Sequence, residues 1–326
     1  RVDITCAIDA ADTIELVAPP ADTAEFRALI QPLSFAPLSV LVGGEAMFTG
    51  TMVGVAPAQG PDGARVQVSG YSLPGVLGDC TAPSSAFPLQ LKGLDLPQIA
   101  QKLCAPFGLV VETEGDVSGK LERVRLQPDR KILGFLADLA KQHGTLISSS
   151  AAGALLLLDP PAAGAPVVTL REGDRPLLSV ELETNPQAYF SHLTAFRSVS
   201  RGVRGAQHTV KNPAAAPGVL RPLITTIQDT SAGELPAAAE ALAGRMLAGA
   251  VTVNAEVATW RNPAGALWER GATVRIEAPG AMIYRATDML IRQVQFSSDE
   301  RQNTAKLSLV LPGSFSGDLP AVLPWQ

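Results

Sequence analysis

Chemistry in this chain would have to come from three histidines, two carboxylate pairs, a run of serines and three cysteines. None of His143, His192 and His208 stands in a His-x-x-x-His or His-Glu-x-x-His spacing, the patterns that put two imidazoles on one helical face around a metal. His143 falls in the last turn of a predicted helix, where a donor or cation suits the terminal carbonyls, and capping outweighs catalysis there. His192 alternates as a half-buried strand residue does, and His208 falls in a predicted loop. Glu112 with Glu114, and Glu181 with Glu183, are spaced two apart on strand-like segments, so each pair faces one side. A glycosidase could use such a pair, but a solvated strand face is the plainer reading. Ser148–Ser150 lie in a hairpin turn and lack the Gly-x-Ser-x-Gly frame of a strained nucleophile. Gly43–Gly44 and Gly202–Gly205 lack the Lys-Ser/Thr and helix start that make a phosphate loop. Cys6, Cys80 and Cys104 are odd in number and widely spaced, which suits small core hydrophobes better than a disulfide framework or zinc site. The expectation is a protein that is not an enzyme, with no catalytic, cofactor-binding or metal-binding residues and no cofactor.

The elements that would carry these residues are clearest between Gln127 and Leu158. Pro128 is acceptable in a first helical turn, and Ile132, Leu133, Leu136, Leu139 and Ala140 fall on one face. Gly144 supplies the stop, and β-type sequence on both sides of Gly153 predicts a hairpin. Before it, Leu94–Leu103 reads as a short helix with Asp95 as N-cap and Pro97 in its first turn, and 107–112 and 121–126 read as strands.

On the N-terminal side, 2–8, 13–17, 38–42, 48–55 and 65–69 alternate as strands, with Gly43–Gly44 and Pro61–Asp62–Gly63 as turns and a possible helix over 23–30. Five short strands with tight turns suggest a small barrel or sandwich. Residues 71–91 are rich in Pro, Ser and Gly and read as a crossing segment. Beyond the insert, strand patterns return at 177–183, 190–198, 251–260, 273–276, 288–296 and 306–311, with a helix around 237–247. Gly202–Val219 reads as a surface loop without a core pattern. The predicted division is 1–72 as a first barrel, 73–93 as linker, 94–171 as the α+β insert, 172–312 as a second barrel with its helix and long loop, and 313–326 as a tail. The two β regions resemble each other: Ser39–Val55 and Thr273–Val294 share a plan of strand, Gly-containing turn, strand, polar turn and strand, as a duplication would produce.

Composition is that of a folded protein: 46% hydrophobic, 17% charged, and 5% aromatic with 29 Gly and 26 Pro, which favours short strands and turns. At 326 residues two or three domains are expected. A formal charge of −5 argues against a dedicated nucleic-acid binder. Arg197, Arg201, Arg204 and Lys211 form a local basic stretch, but without interleaved aromatics it reads as a solvated loop. No run of about 18 apolar residues is present, so no transmembrane helix or stable membrane insertion is expected. The start at Arg1 lacks both Met and a signal-peptide pattern, which leaves room for upstream residues, a first strand among them.

The order of parts resembles a known family. Leu96-Pro-Gln-Ile-Ala-Gln-Lys-Leu-Cys-Ala-Pro-Phe-Gly-Leu109 and Asp129-Arg-Lys-Ile-Leu-Gly-Phe-Leu-Ala-Asp-Leu-Ala-Lys-Gln-His-Gly144, with 2–17, 50–55 and 70–73, resemble phage tail baseplate hub proteins. These are the Mu-like tail protein P group, the T4-type hub, the gpD tail proteins and the hub part of VgrG spikes. The resemblance implies a mainly β fold, with two tube-type antiparallel barrels flanking a helix-plus-hairpin domain. It also implies a homotrimeric ring of pseudo-sixfold symmetry. Its partners would be the tail tube protein, a central spike protein and other baseplate proteins, with genomic DNA passing through the lumen without specific binding. The implied location is the virion tail baseplate, after synthesis in the bacterial host cytoplasm. Only 15 residues follow Leu311, too few for an OB-fold or needle, so the spike is expected to be another polypeptide. Two other readings stay open: a cell-wall-binding or hydrolytic tail component, from the carboxylate pairs with Trp260 and Trp268, and the hub part of a VgrG-like secretion spike.

Overall fold

The computed structural model describes residues 1–326 except 62, 90, 118–120, 122–123, 163, 198–204, 228–232 and 300. The alternating N-terminal segments form β1 (Val2–Ala7), β2 (Thr13–Ala18), β3 (Pro37–Val42), β4 (Glu45–Gly60) and β5 (Gly63–Ser72). Between β2 and β3 lies a short helix, α1 (Ala24–Leu29), capped by Thr23 and with no buried residue. The insert follows, with α2 (Val76–Asp79), α3 (Leu96–Cys104), β6 (Val111–Glu114), α4 (Ile132–Gln142), β7 (Leu146–Ser149) and β8 (Leu155–Leu158). The C-terminal part comprises β9 (Thr169–Arg171), β10 (Leu177–Thr184), β11 (His192–Arg197), β12 (Gln207–Lys211), β13 (Pro222–Ile227), α5 (Leu235–Ala250), β14 (Val251–Val257), β15 (Thr273–Ala278), β16 (Ile283–Ser298) and β17 (Asn303–Val310).

Two copies of one strand plan account for ten of these strands. In the first the spatial order is β1-β2-β5-β4-β3, and in the second β10-β14-β17-β16-β15, with every pairing antiparallel. Each copy is built on a 16-residue strand, β4 or β16, and the irregularities match as well. Register against β5 shifts between Met52 and Gly54, and register against β17 shifts between Ile291 and Gln293. Val53 and Arg292 are therefore corresponding bulge residues.

The repeats are not two separate barrels, as the sequence suggested. The outer edge of β1 pairs antiparallel with the second half of β16, from Val2 opposite Ser298 to Ala7 opposite Gln293, and this fuses both repeats into one 11-stranded sheet with no closed barrel. The physical reason is the length of β16. Its first half is covered on that side by β15, its second half is free, and an unpaired run of backbone N–H and C=O groups takes another strand. The main core lines this sheet, with Ile4, Phe48, Val253, Ile276, Val294 and Leu307 all buried.

The insert has its own core of Leu77, Ile99, Leu103, Ile132, Leu136 and Leu155. Asp95 caps α3 as expected, in a capping box with Gln98. α4 starts at Ile132 and not at Pro128, which lies in the preceding turn; Phe135 joins the buried face where Leu133 was expected and is only half-buried. Gly144 adopts φ +70° directly after the helix. The hairpin β7–β8 forms, and β6 joins it in parallel to β8. The strand expected at 107–112 begins only at Val111, because Ala105–Phe107 form a 3-10 turn closed by left-handed Gly108. Of the strand expected at 121–126, residues 122–123 lie outside the described residues, and Leu121 and Val124 make isolated bridges.

The predicted loop over 202–219 also needs correction. Its described part contains β12, and with β11 and β13 it forms a three-stranded sheet that lays Ala195 and Ile227 on Ala238 and Ala239 of α5. Val210 packs against that cluster and Ala214 is buried in the main core. In the 313–326 tail Phe315 and Leu323 are buried.

Candidate functional site: a three-part junction and two open strand edges

The histidines and carboxylate pairs first singled out for chemistry do not converge. Glu112 and Glu114 are on β6 in the insert, Glu181 and Glu183 on edge strand β10, and all four are exposed. His143 is the C-cap residue of α4, its backbone N–H donating to Ala140 O at 3.0 Å. His192 opens β11 with Nδ1 3.0 Å from Ser191 Oγ. His208, expected in a loop, is on β12 with Nε2 3.8 Å from Glu240 of α5. Arg197 and Lys211 end β11 and β12, while Arg201 and Arg204 lie outside the described residues. Ser148 and Ser149 belong to strand β7, not to the turn. The tryptophans are structural. Trp268 is buried with Nε1 donating to Thr259 O at 2.8 Å, and Trp260 donates to Ser297 O at 3.0 Å and meets Phe296 edge-on. Among the described residues no group of three or more His, Cys, Asp or Glu is placed to hold a metal.

What does converge is a buried polar node where both repeats meet the insert. Arg270, just before β15, donates through Nη1 to Ala7 O at 3.2 Å and to Asp12 Oδ1, and through Nη2 to Ser149 O. Asp12 also accepts from Ala7 N–H at 3.2 Å, and its own N–H donates to Ser72 Oγ at 3.1 Å. Ser72 Oγ lies 2.6 Å from Ser149 Oγ, and Ser148 Oγ donates to Ala7 O at 2.6 Å. One guanidinium thus ties the first repeat, the insert and the second repeat together. Burial pushes the Asp12 carboxyl up to about 6, against the opposing pull of Arg270 and the Ala7 N–H. The Cys6 thiol beside it is pushed up to about 12, by burial first and by the Asp12 charge second. That thiol is no nucleophile. None of this was visible in local spacing, since Asp12 and Arg270 are 258 residues apart.

The second feature is at the ends of the sheet. The path terminates at β10 on one side and β3 on the other. Alongside β3, β4 is covered up to Met52, whose N–H donates to Ala36 O at 2.9 Å, so residues 53–60 expose one edge, and Ala56–Gly60 are exposed as side chains too. Leu29, Leu33, Phe35 and Leu41 are exposed apolar side chains near β3, and Leu178 and Met282 near β10. Open edges with apolar flanks are assembly surfaces.

Residues 74–159 match the family described as baseplate hub protein gp44-like, second domain, and residues 237–318 match Mu phage baseplate assembly protein GpP, fourth domain. The chain is 28% identical over 268 residues to the baseplate hub protein gp44 of Escherichia phage Mu, covering 78% of this chain and 69% of that protein. The chain is a relative of the Mu baseplate hub protein. The crystal structure of the 43 kDa tail protein of prophage MuSo2 from Shewanella oneidensis superposes with a TM-score of 0.78 at 26% identity, covering 96% of this chain and 94% of that one. The tail protein from Neisseria meningitidis MC58 shares the fold, with a TM-score of 0.78 at 20% identity over 98% and 93% of the two chains. The Mu-like hub resemblance read in the sequence is thus the one the comparisons return, and the proteins they return are phage baseplate and tail proteins. Among the described residues no helix is long and apolar enough to cross a membrane.

Proposed function

We propose that this protein is the structural hub of a Mu-like contractile tail baseplate, assembled as a homotrimeric ring that adapts a hexameric tail tube to a trimeric central spike. The observation that carries this reading is the β1–β16 junction between the two repeats. By the strand correspondence, β10 is the counterpart of β1, and the free edge of β4 beyond Met52 is the counterpart of the β16 edge that β1 occupies. β10 of one copy therefore fits the free edge of β4 on the next. Three copies of two repeats then alternate three internal junctions with three junctions between copies, giving six similar units around a closed ring. Tube-type barrels, absent from a single copy, would arise from the joined sheets.

Register makes the proposal specific. Asp3 faces Ser297 and Thr5 faces Gln295 within the chain. The corresponding pairs between copies are Glu181 with Ala58, and Glu183 with Ala56. The other roles follow from the ring: a face for the tube, a face for the spike and the remaining baseplate proteins, and a lumen through which genomic DNA slides. A formal charge of −5 suits passage without sticking. The working location is the virion baseplate, and the role is architectural, without catalysis.

The test combines light scattering with a cysteine pair. Wild-type protein is expected to run as a trimer, and Glu181→Cys with Ala58→Cys to yield covalent trimers on non-reducing gels, whereas either single variant does not. A protein that stays monomeric at all concentrations and ignores both tube and spike proteins would sink the reading.

A further inference from the structure

Beside the polar node lies a second, separate cluster of charge. A pocket of about 230 Å³ opens where α4, β7, α5 and β16 meet. Small residues, Ala137 and Ala140 on α4 and Ala248 and Gly249 on α5, leave room between the two helices, and Leu146, Ile147 and Phe315 complete the apolar wall. Three cations line it: Lys141 from the end of α4, Arg245 from α5 and Arg292 from the β16 bulge. The one carboxylate lining it is Asp9 from the β1–β2 turn.

Asp9 is already committed. Arg292 Nε and Nη2 hold its Oδ2 at 3.1 and 2.8 Å. Among the described residues Lys141 reaches only Asp138, at 3.9 Å, and Asp138 is also paired with Arg130. Arg245 is the anomaly. Its Nη2 donates to a neutral acceptor, Thr145 O, at 2.7 Å, and its Nε is sealed from solvent with no hydrogen-bond partner among the described residues. Burial pulls its pKa down to about 10, with Asp9 only partly offsetting. A buried guanidinium without its own anion is costly, and such a charge persists where something compensates it.

We propose that this pocket binds a free phosphate-sized oxyanion. Three cations against one carboxylate leave a surplus of two positive charges, the complement of a phosphate dianion. Guanidinium groups suit the oxygen geometry of such an ion. The volume admits the ion with a few waters. Bound there, the ion would bridge insert, α5 and β16, and so brace the insert on the sheet. This inference does not rest on the ring: a monomer would bind the ion equally well.

Inorganic phosphate is the probe, compared with sodium chloride at equal ionic strength. Wild-type protein is expected to show saturable heat on titration and a rise of about 2 °C or more in melting temperature. Arg245→Gln should abolish both, Lys141→Gln, at the exposed rim, should weaken binding about fivefold to tenfold, and Arg65→Gln on the distant β4–β5 hairpin should change neither. Should Arg245→Gln fail to fold, Lys141→Gln still decides. No effect of phosphate beyond that of chloride, or an unchanged response in Lys141→Gln, overturns the proposal; tighter binding of AMP than of phosphate overturns its assignment to the free ion.

Discussion

Val53 and Arg292 hold the same place in the two repeats, each the extra residue of a bulge on a 16-residue strand, yet one is aliphatic and the other ends on Asp9. A duplicated frame has kept its irregularity while changing what the irregularity presents. In the first repeat the bulge lies beside a free edge. In the second it aims a guanidinium at the turn that follows β1.

Arg292→Val, which copies the first repeat, should leave the strand plan intact and remove the Asp9 pair. Both partners are partly exposed, so the cost should be modest, about 1–2 kcal/mol. Urea denaturation measures it, and a loss above twice that amount would mean that Arg292 supports more than Asp9.

Arg270→Met should be far more damaging. Two main-chain carbonyls and the buried Asp12 carboxylate lose a shared donor, and a loss of about 3 kcal/mol or more is expected. Hydrogen exchange should show β7 and the β1–β2 turn opening first. Uniform loss of protection across the chain would instead argue that the node is not a local tie.

The Asp12 carboxyl titrates at about 6 in the fold against an ordinary 3.8. Between those values the folded state holds the proton more tightly than the unfolded chain, so this group's contribution to stability falls as pH rises from about 4 to about 6, then levels off. Asp12→Asn removes that slope. Unfolding free energies of both proteins across this range should give a difference that changes with pH below 6 and stays flat above it; parallel curves would exclude Asp12 as the source.

Leu136 is fully buried in the core of the insert, which is separate from that of the sheet. Leu136→Ala should cost about 2–5 kcal/mol, and Leu136→Ser more. Exchange should rise in α3, α4 and β8 while β14 and β17 stay protected. Equal loss in both regions would mean that insert and sheet unfold as one unit.

Local periodicity was enough to read most strands and helices in order, the Asp95 cap, the Gly144 stop, four of the five buried residues of α4 and the likeness of the two β regions. These depend on neighbours a few residues apart, and side-chain alternation records them directly. β12 and β13 escaped because their exposed faces are polar or Pro-led and only one side meets α5. The projecting ends of β4 escaped because Ala56–Gly60 bury nothing, so no alternation marks them.

Tertiary structure alone decided which edge meets which. Alternation tells a strand which face is inside, but the backbone groups along its edges are the same in every sequence, so the pairing of β1 with β16 is not written in either segment. For the same reason Asp12 and Arg270, ordinary in their own stretches, become a buried node only after both repeats and the insert have closed around them. Arg245 and Arg292 likewise face one pocket only because α5 packs beside a bulged strand. The sequence determined the parts and their duplication; long-range packing decided that they form one open-edged sheet with a charged junction at its centre.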